Sequence, residues 1–139
     1  MLTRGQEIEV EIERPAVGGA MIARAANAIV LVVGAIPGER VRARVDRVSK
    51  RVAHASTTAV LSPSPDRRPA PCDIRCGGSL YAHMAYSRQC ATKAAVVADA
   101  FARLARTTLP APVPVRASPE EAYRMRARLR VRDGRLGYY

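Results

Sequence analysis

Tryptophan is absent from the chain, phenylalanine occurs once, and aromatic residues make up only 4% of its 139 residues. A core of stacked rings is therefore excluded. The 48% of apolar residues are mostly Ala and Val, so any core is built from small side chains. Lysine is nearly missing as well: of 23 cations, only Lys50 and Lys93 are not Arg. Three cysteines, an odd number, argue against a disulfide framework and leave metal binding or plain thiols. No apolar run approaches the roughly 20 residues that span a bilayer. The opening MLTRGQEIEV has neither the apolar stretch nor the cleavage site of a signal peptide. The expected location is the cytoplasm, without membrane contact. The length allows one ordinary domain, or a small domain with an appendage, and is too short for a complete enzyme of the larger α/β classes.

What is abundant is positive charge, +11 net. Guanidinium groups present a planar fork of donors that matches phosphate oxygens, so an Arg-dominated excess points to nucleic acid. A high-GC codon bias explains the choice of Arg over Lys equally well, but not the net charge.

The first half of the chain reads as strands. Ile8, Val10 and Ile12 alternate with Glu7, Glu9, Glu11 and Glu13, the period of a half-buried strand. Pro15 and Gly18-Gly19 interrupt it, AMIAR suits a short second strand, and NAIVLVV is a β-branched central one. After the GAIPGE turn, Val41, Ala43 and Val45 alternate with Arg40, Arg42 and Arg44. A fifth run, RVAHASTTAVL, ends at Leu61. Five short strands without room for helices predict a small closed or nearly closed barrel of the OB or SH3-like kind over residues 1–61.

The second half changes character. Residues 62–83 begin with SPSPDRRPAPC, whose four prolines resist helix and sheet and predict a stiff connector leading into a cysteine loop. Over 84–108 the spacing of Ala94, Val97, Ala98, Phe101, Leu104 and Ala105 predicts a helix, capped by Ser87 and ending near Thr107 before the prolines of LPAPVPV. In 109–139, Met125, Ala127, Leu129 and Val131 alternate with Arg124, Arg126, Arg128, Arg130 and Arg132. Asp133-Gly134 then predicts a hairpin turn with a return strand from Arg135. The expected fold is mainly β with one α-helix.

Taken in order, GGAMIARA, VVGAIPGERVRARV, LSPSPDRRPAPC, CGG, LYAHMAYSRQCATK and SPEEAYRMRARLRVRDGRLGYY resemble the N-terminal part of the bacterial RNA uracil-5-methyltransferases. The resemblance covers essentially the whole chain. It implies an RNA-binding TRAM domain with an OB-like barrel, followed by a loop whose cysteines hold a [4Fe-4S] cluster and by the start of a central domain. The family's S-adenosylmethionine site, nucleophilic Cys and base belong to a C-terminal Rossmann-like domain with no counterpart in these residues, so no catalytic residue is expected and this chain alone is expected to be inactive.

The cysteine loop departs from the family pattern. Cys72 and Cys76 match the first two ligand positions, with three residues between them instead of five; Ser79 stands at the third, and Cys90 falls where the family places no ligand. A serine oxygen is a hard donor and a poor substitute in soft iron-sulfur chemistry, so Cys72 and Cys76 read as degenerate ligands and no cofactor is expected in this chain. A zinc site from Cys72, Cys76, His83 and Cys90 is conceivable by ligand type, against an ordinary role for His83 on the way into the helix.

The expected RNA surface is a basic stripe of Arg40, Arg42 and Arg44 continued by Arg47, Lys50 and Arg51, with Arg126, Arg128 and Arg130 as a second surface. The barrel region has no aromatic residue, so contact there is expected to run through the phosphate backbone rather than through stacked bases. Three readings stay open: an RNA-binding fragment of a methyltransferase, one half of a split enzyme whose methyltransferase domain is encoded separately, and a stand-alone module that binds RNA or ribosomes.

Overall fold

The computed structural model describes all residues except 72, 74, 75, 124 and 139. Six strands, β1 (Glu7–Glu11), β2 (Arg14–Pro15), β3 (Met21–Ala25), β4 (Ala28–Val33), β5 (Arg40–Ser49) and β6 (Val52–Ser62), form one sheet in the order β1-β5-β6-β4-β3-β2. The β4–β6 pair is parallel and the others are antiparallel.

The strand count is thus six in place of five, because the first predicted strand turns a corner. Ile12 donates its N–H to Glu39 O at 2.9 Å on the β5 side, and Glu13 donates to Ile22 O at 2.8 Å on the β3 side. Consecutive amides serve opposite edges of the sheet. Among the described residues no ladder joins β1 to β2, so the sheet curls without sealing into a closed barrel.

Its concave side is a core of small residues. Met21, Ala23, Val30, Val32, Ile36, Val41, Ala43 and Ala53 are fully buried, as the alternation of β5 and the β-branched run of β4 dictate. Met84 joins this core from beyond the sheet, also fully buried.

The proline-rich segment folds back onto the sheet rather than standing off as a spacer. Arg67 bridges to Met84, Arg68 N–H donates to His83 O at 3.0 Å, and Ala85 N–H donates to Asp66 O at 2.8 Å. Between these anchors Cys76, Ser79 and Ala82 each donate to the carbonyl three residues earlier.

Helix α1 (Tyr86–Leu104) begins one residue before Ser87, which therefore lies inside the first turn and caps nothing. Ala85 takes the cap position, its backbone already fixed by the bond to Asp66 O. The helix ends three residues before Thr107, where Arg106 adopts a left-handed φ of 52° and Ala105 and Thr107 both donate to Phe101 O. Its predicted apolar stripe is largely exposed; Thr92 is the buried residue of the helix.

The long C-terminal strand shrinks to β7 (Arg130–Arg132), paired with β8 (Arg135–Gly137) across the expected turn, where Asp133 and Gly134 have φ of 50° and 72°. The alternation upstream finds no neighbouring strand among the described residues, and a lone two-stranded hairpin is only marginally stable in water.

Candidate nucleic-acid interface

The expected basic stripe does not stand alone. The register of β1 on β5 sets Glu7 opposite Arg44, Glu9 opposite Arg42 and Glu11 opposite Arg40, so an acidic row lies beside the basic one. Glu9 takes both neighbours: its carboxylate accepts from Arg42 Nη2 at 3.0 Å and from Arg40 Nη2 at 2.9 Å. These two bonds, Arg42's first, hold the Glu9 carboxyl below its ordinary pKa. The stripe is therefore locally neutralised at Arg40 and Arg42.

Beyond that point the cations form no ion pair among the described residues, although Glu7 still lies opposite Arg44 in the register. Arg44, Lys50 and Arg51 are exposed. Arg47 reaches His54, its Nη2 lying 2.9 Å from Nε2; a guanidinium only donates, so that ring nitrogen is the acceptor. Asp46, the one acid in this part of β5, accepts from Ser56 Oγ at 2.6 Å.

The β5–β6 turn, with Lys50 at φ 54°, lies against the β3–β4 turn, since Ile29 donates to Arg51 O at 3.1 Å. That second turn carries Ala26 and Asn27 at φ 47° and 59°, the geometry of a type I′ hairpin, and brings Arg24 to the same end of the sheet. Arg24, whose role no local pattern announces, makes a looser pair with Glu13 at 3.3 Å. Arg126, Arg128 and Arg130 are exposed, Arg130 on β7 and the other two in irregular chain, so they do not form one strand face.

The opposite end of the sheet is closed by a buried ion pair that the sequence did not announce. Glu39, fully buried, accepts from Arg67 Nε and Nη2 at 2.6 Å each, from Ile36 N–H at 2.9 Å and from Ser64 N–H at 3.0 Å. Burial works to raise the Glu39 pKa, but the Arg67 guanidinium and the Ser64 and Ile36 amides outweigh it and hold the carboxyl below its ordinary value.

The GAIPGE turn also offers its backbone as a socket. Gly34 O accepts from Arg67, Ala35 O from His83 Nε2 at 3.0 Å, and Pro37 O from Arg88 at 3.2 Å. Because a carbonyl can only accept, His83 is the Nε2–H tautomer. Its pKa is lowered chiefly by burial, with the Arg67 charge acting the same way against the Ala35 bond and Glu39.

The His83 side chain is bound to the GAIPGE turn, and among the described residues Cys76, His83 and Cys90 do not gather into a metal-holding group. Cys72 lies outside the described residues. Cys76 and Cys90 are thiols, both half-buried. Ser79, at the third ligand position of the cysteine-loop pattern, is a hard oxygen donor and a poor fit for the soft thiolate shell of a cubane cluster.

The two glycine pairs serve packing. A Cβ on Gly19 would lie 2.7 Å from Leu80 Cδ1, and one on Gly78 would lie 2.6 Å from Tyr138 Cδ2. Gly19 lets the cysteine loop press on the β2–β3 turn, and Gly78 seats the terminal hairpin.

The TRAM domain family matches residues 2–58, the curled sheet up to the middle of β6. Those residues are a TRAM domain. The chain is 31% identical to an RNA methyltransferase of Bdellovibrio bacteriovorus over 138 residues, 97% of this chain and 35% of that protein. It is 38% identical over 130 residues to the 23S rRNA (uracil(1939)-C(5))-methyltransferase RlmD of Pseudomonas fluorescens, 92% of this chain and 28% of that protein. To RlmD of Pseudomonas putida it is 36% identical, with 92% and 29% covered. The matched portion is the N-terminal part of these relatives, and the chain spans about a third of their length. No helix among the described residues is long and apolar enough to cross a membrane.

Proposed function

We propose that this chain is the N-terminal RNA-binding part of a uracil-5-methyltransferase acting on ribosomal or transfer RNA, and that its TRAM domain holds the RNA backbone with Arg44, Arg47, Lys50 and Arg51. The observation that carries this is the grading of charge along β5: Arg40 and Arg42 are bonded to the Glu9 carboxylate, whereas the cations from Arg44 to the turn make no ion pair among the described residues. Cations already satisfied by Glu9 cost more to redirect to phosphate than cations facing water. In the enzyme as a whole the reaction is methyl transfer from S-adenosylmethionine to carbon 5 of a uridine, with this part delivering the strand. The working place of such a protein is the cytoplasm, where its RNA is.

The test is binding of a single-stranded RNA by the whole chain across a salt series. Log K is expected to fall steeply with log salt, because each neutralised phosphate releases counterions. A flat dependence, or no binding in dilute buffer, contradicts the proposal.

A second reading, one half of a split enzyme, is favoured by the outer face of α1, where Phe101 is 44% and Leu104 80% exposed. A separately encoded methyltransferase domain would cover that face. Co-expression with the C-terminal part of a relative is expected to give a complex that Leu104→Arg disrupts; a persistently monomeric chain argues for a stand-alone module.

A further inference from the structure

Aromatic side chains are scarce in this protein and none of those described belongs to the six-stranded sheet, yet three of the five tyrosines, Tyr81, Tyr86 and Tyr123, line one cleft of about 450 Å³. It opens beside the TRAM domain, between the β2–β3 turn, the cysteine loop, the start of α1 and the segment 118–123. Arg68, Gln89 and Lys93 line it too. Rings, cations and a side-chain amide together are the chemistry that holds an unstacked nucleotide: the ring takes the base face, the cation its phosphate and the amide a base edge. A volume of this order suits one nucleotide.

The walls are fixed before any ligand arrives. Tyr86 Oη accepts from Ser118 N–H at 2.7 Å, and Arg68 Nη1 lies 2.7 Å from Glu120 Oε2, so two bonds tie the segment 118–120 across to the helix and the proline-rich stretch. Arg68 is further held by Ala82 O at 3.1 Å. Gln89 donates to Met84 O at 3.1 Å, and its amide oxygen accepts no bond among the described residues. Lys93 is exposed and makes no ion pair among them. Ordering costs already met by the fold do not subtract from binding.

We propose that this cleft binds one extruded nucleotide of a single RNA strand, stacking its base on tyrosine. The proposal rests on the RNA-binding reading above and adds base recognition to a surface that otherwise touches only phosphates. The cleft flanks the end of the sheet closed by Glu39, and the basic turns lie at the other end of the ten-residue β5, so the strand would run about 30 Å between them.

The experiment compares the affinity of the whole chain for a strand of about twelve uridines and for an abasic ribose-phosphate strand of the same length, a size within reach of one OB-like domain. The wild type is expected to prefer the uridine strand roughly 5- to 100-fold. Tyr123→Ala, at an exposed position that leaves the core intact, should remove the preference without changing the salt slope. Tyr123→Phe should keep it, because the ring does the stacking. The Lys50→Ala/Arg51→Ala variant should weaken both strands and preserve their ratio. Equal wild-type affinity for the two strands, an undiminished preference in Tyr123→Ala, or its loss in Tyr123→Phe overturns the cleft while leaving the TRAM reading intact. Absence of binding to either strand overturns both.

Discussion

The two ends of the curled sheet use charge in opposite ways. At one end Glu39 is buried under Arg67 and two amides, and the GAIPGE turn gives its carbonyls to Arg67, His83 and Arg88. At the other, Lys50 and Arg51 stand at a short turn and Arg47 near the end of β5 bonds His54, and none of the three makes an ion pair among the described residues. The first arrangement commits guanidinium to internal order; the second keeps it in water, where phosphate can reach it. Formal charge in a sequence therefore measures binding capacity only after the internal pairs are subtracted.

The closed end is the place to break the comparison most forcefully. Arg67→Ala leaves a carboxylate buried and unpaired and is expected to lower unfolding free energy by about 3–5 kcal/mol in urea denaturation. The double variant Glu39→Gln/Arg67→Met should be more stable than Arg67→Ala, because no buried charge remains. If all variants unfold like the wild type, the pair is not a structural clamp.

Gly19→Ala comes next. The added methyl meets Leu80 at a backbone φ of +90°, and the combination should cost about 1–3 kcal/mol, read as a lowered Tm. A neutral outcome would mean that the cysteine loop yields freely against the β2–β3 turn.

His83 gives a pH signature at the same end. Its folded pKa is depressed, so below its ordinary value near 6.5 the unfolded chain takes up a proton that the folded chain resists. Stability is expected to fall as pH drops from neutrality through that value, and His83→Gln should lose this part of the dependence. Glu39 adds a further loss at lower pH, as its own depressed carboxyl is protonated. An identical pH profile in the variant would remove His83 from the account.

The smallest effect is expected at the middle of β5. Arg40→Ala should barely change RNA affinity, since Glu9 already occupies that guanidinium. An effect as large as that of Arg51→Ala would show that the Glu9 pairs open for RNA.

Much of this fold was legible because period-two alternation is a local property. Val41, Ala43 and Val45 read as the inner face of a strand and are buried, and Asp133-Gly134 read as a turn and is one. The corner at Ile12 was hidden, because a strand serving two edges looks like one uninterrupted strand. The neutralisation of Arg40 and Arg42 was half visible: Glu7, Glu9 and Glu11 show the same alternation, but which strands become neighbours is decided by tertiary pairing. GAIPGE read as a turn and the proline-rich segment as a connector, but the ion pair of Glu39 with Arg67 joins residues 28 apart, which no local pattern reveals. Alternation from Met125 to Val131 was real, yet a strand needs a neighbour, and these residues have almost none. Helical spacing located α1 to within a few residues, whereas the burial of its stripe depends on what packs there.

The most direct test of the central claim is the slope of log K against log salt for single-stranded RNA, measured for the wild type, for Arg47→Ala/Lys50→Ala/Arg51→Ala and for Arg40→Ala/Arg42→Ala. The account predicts that the first variant flattens the slope by roughly 0.7 for each phosphate left unneutralised, while the second leaves it near the wild-type value. Equal slopes in the wild type and the turn variant, or a larger change from the Glu9-paired arginines, would contradict it.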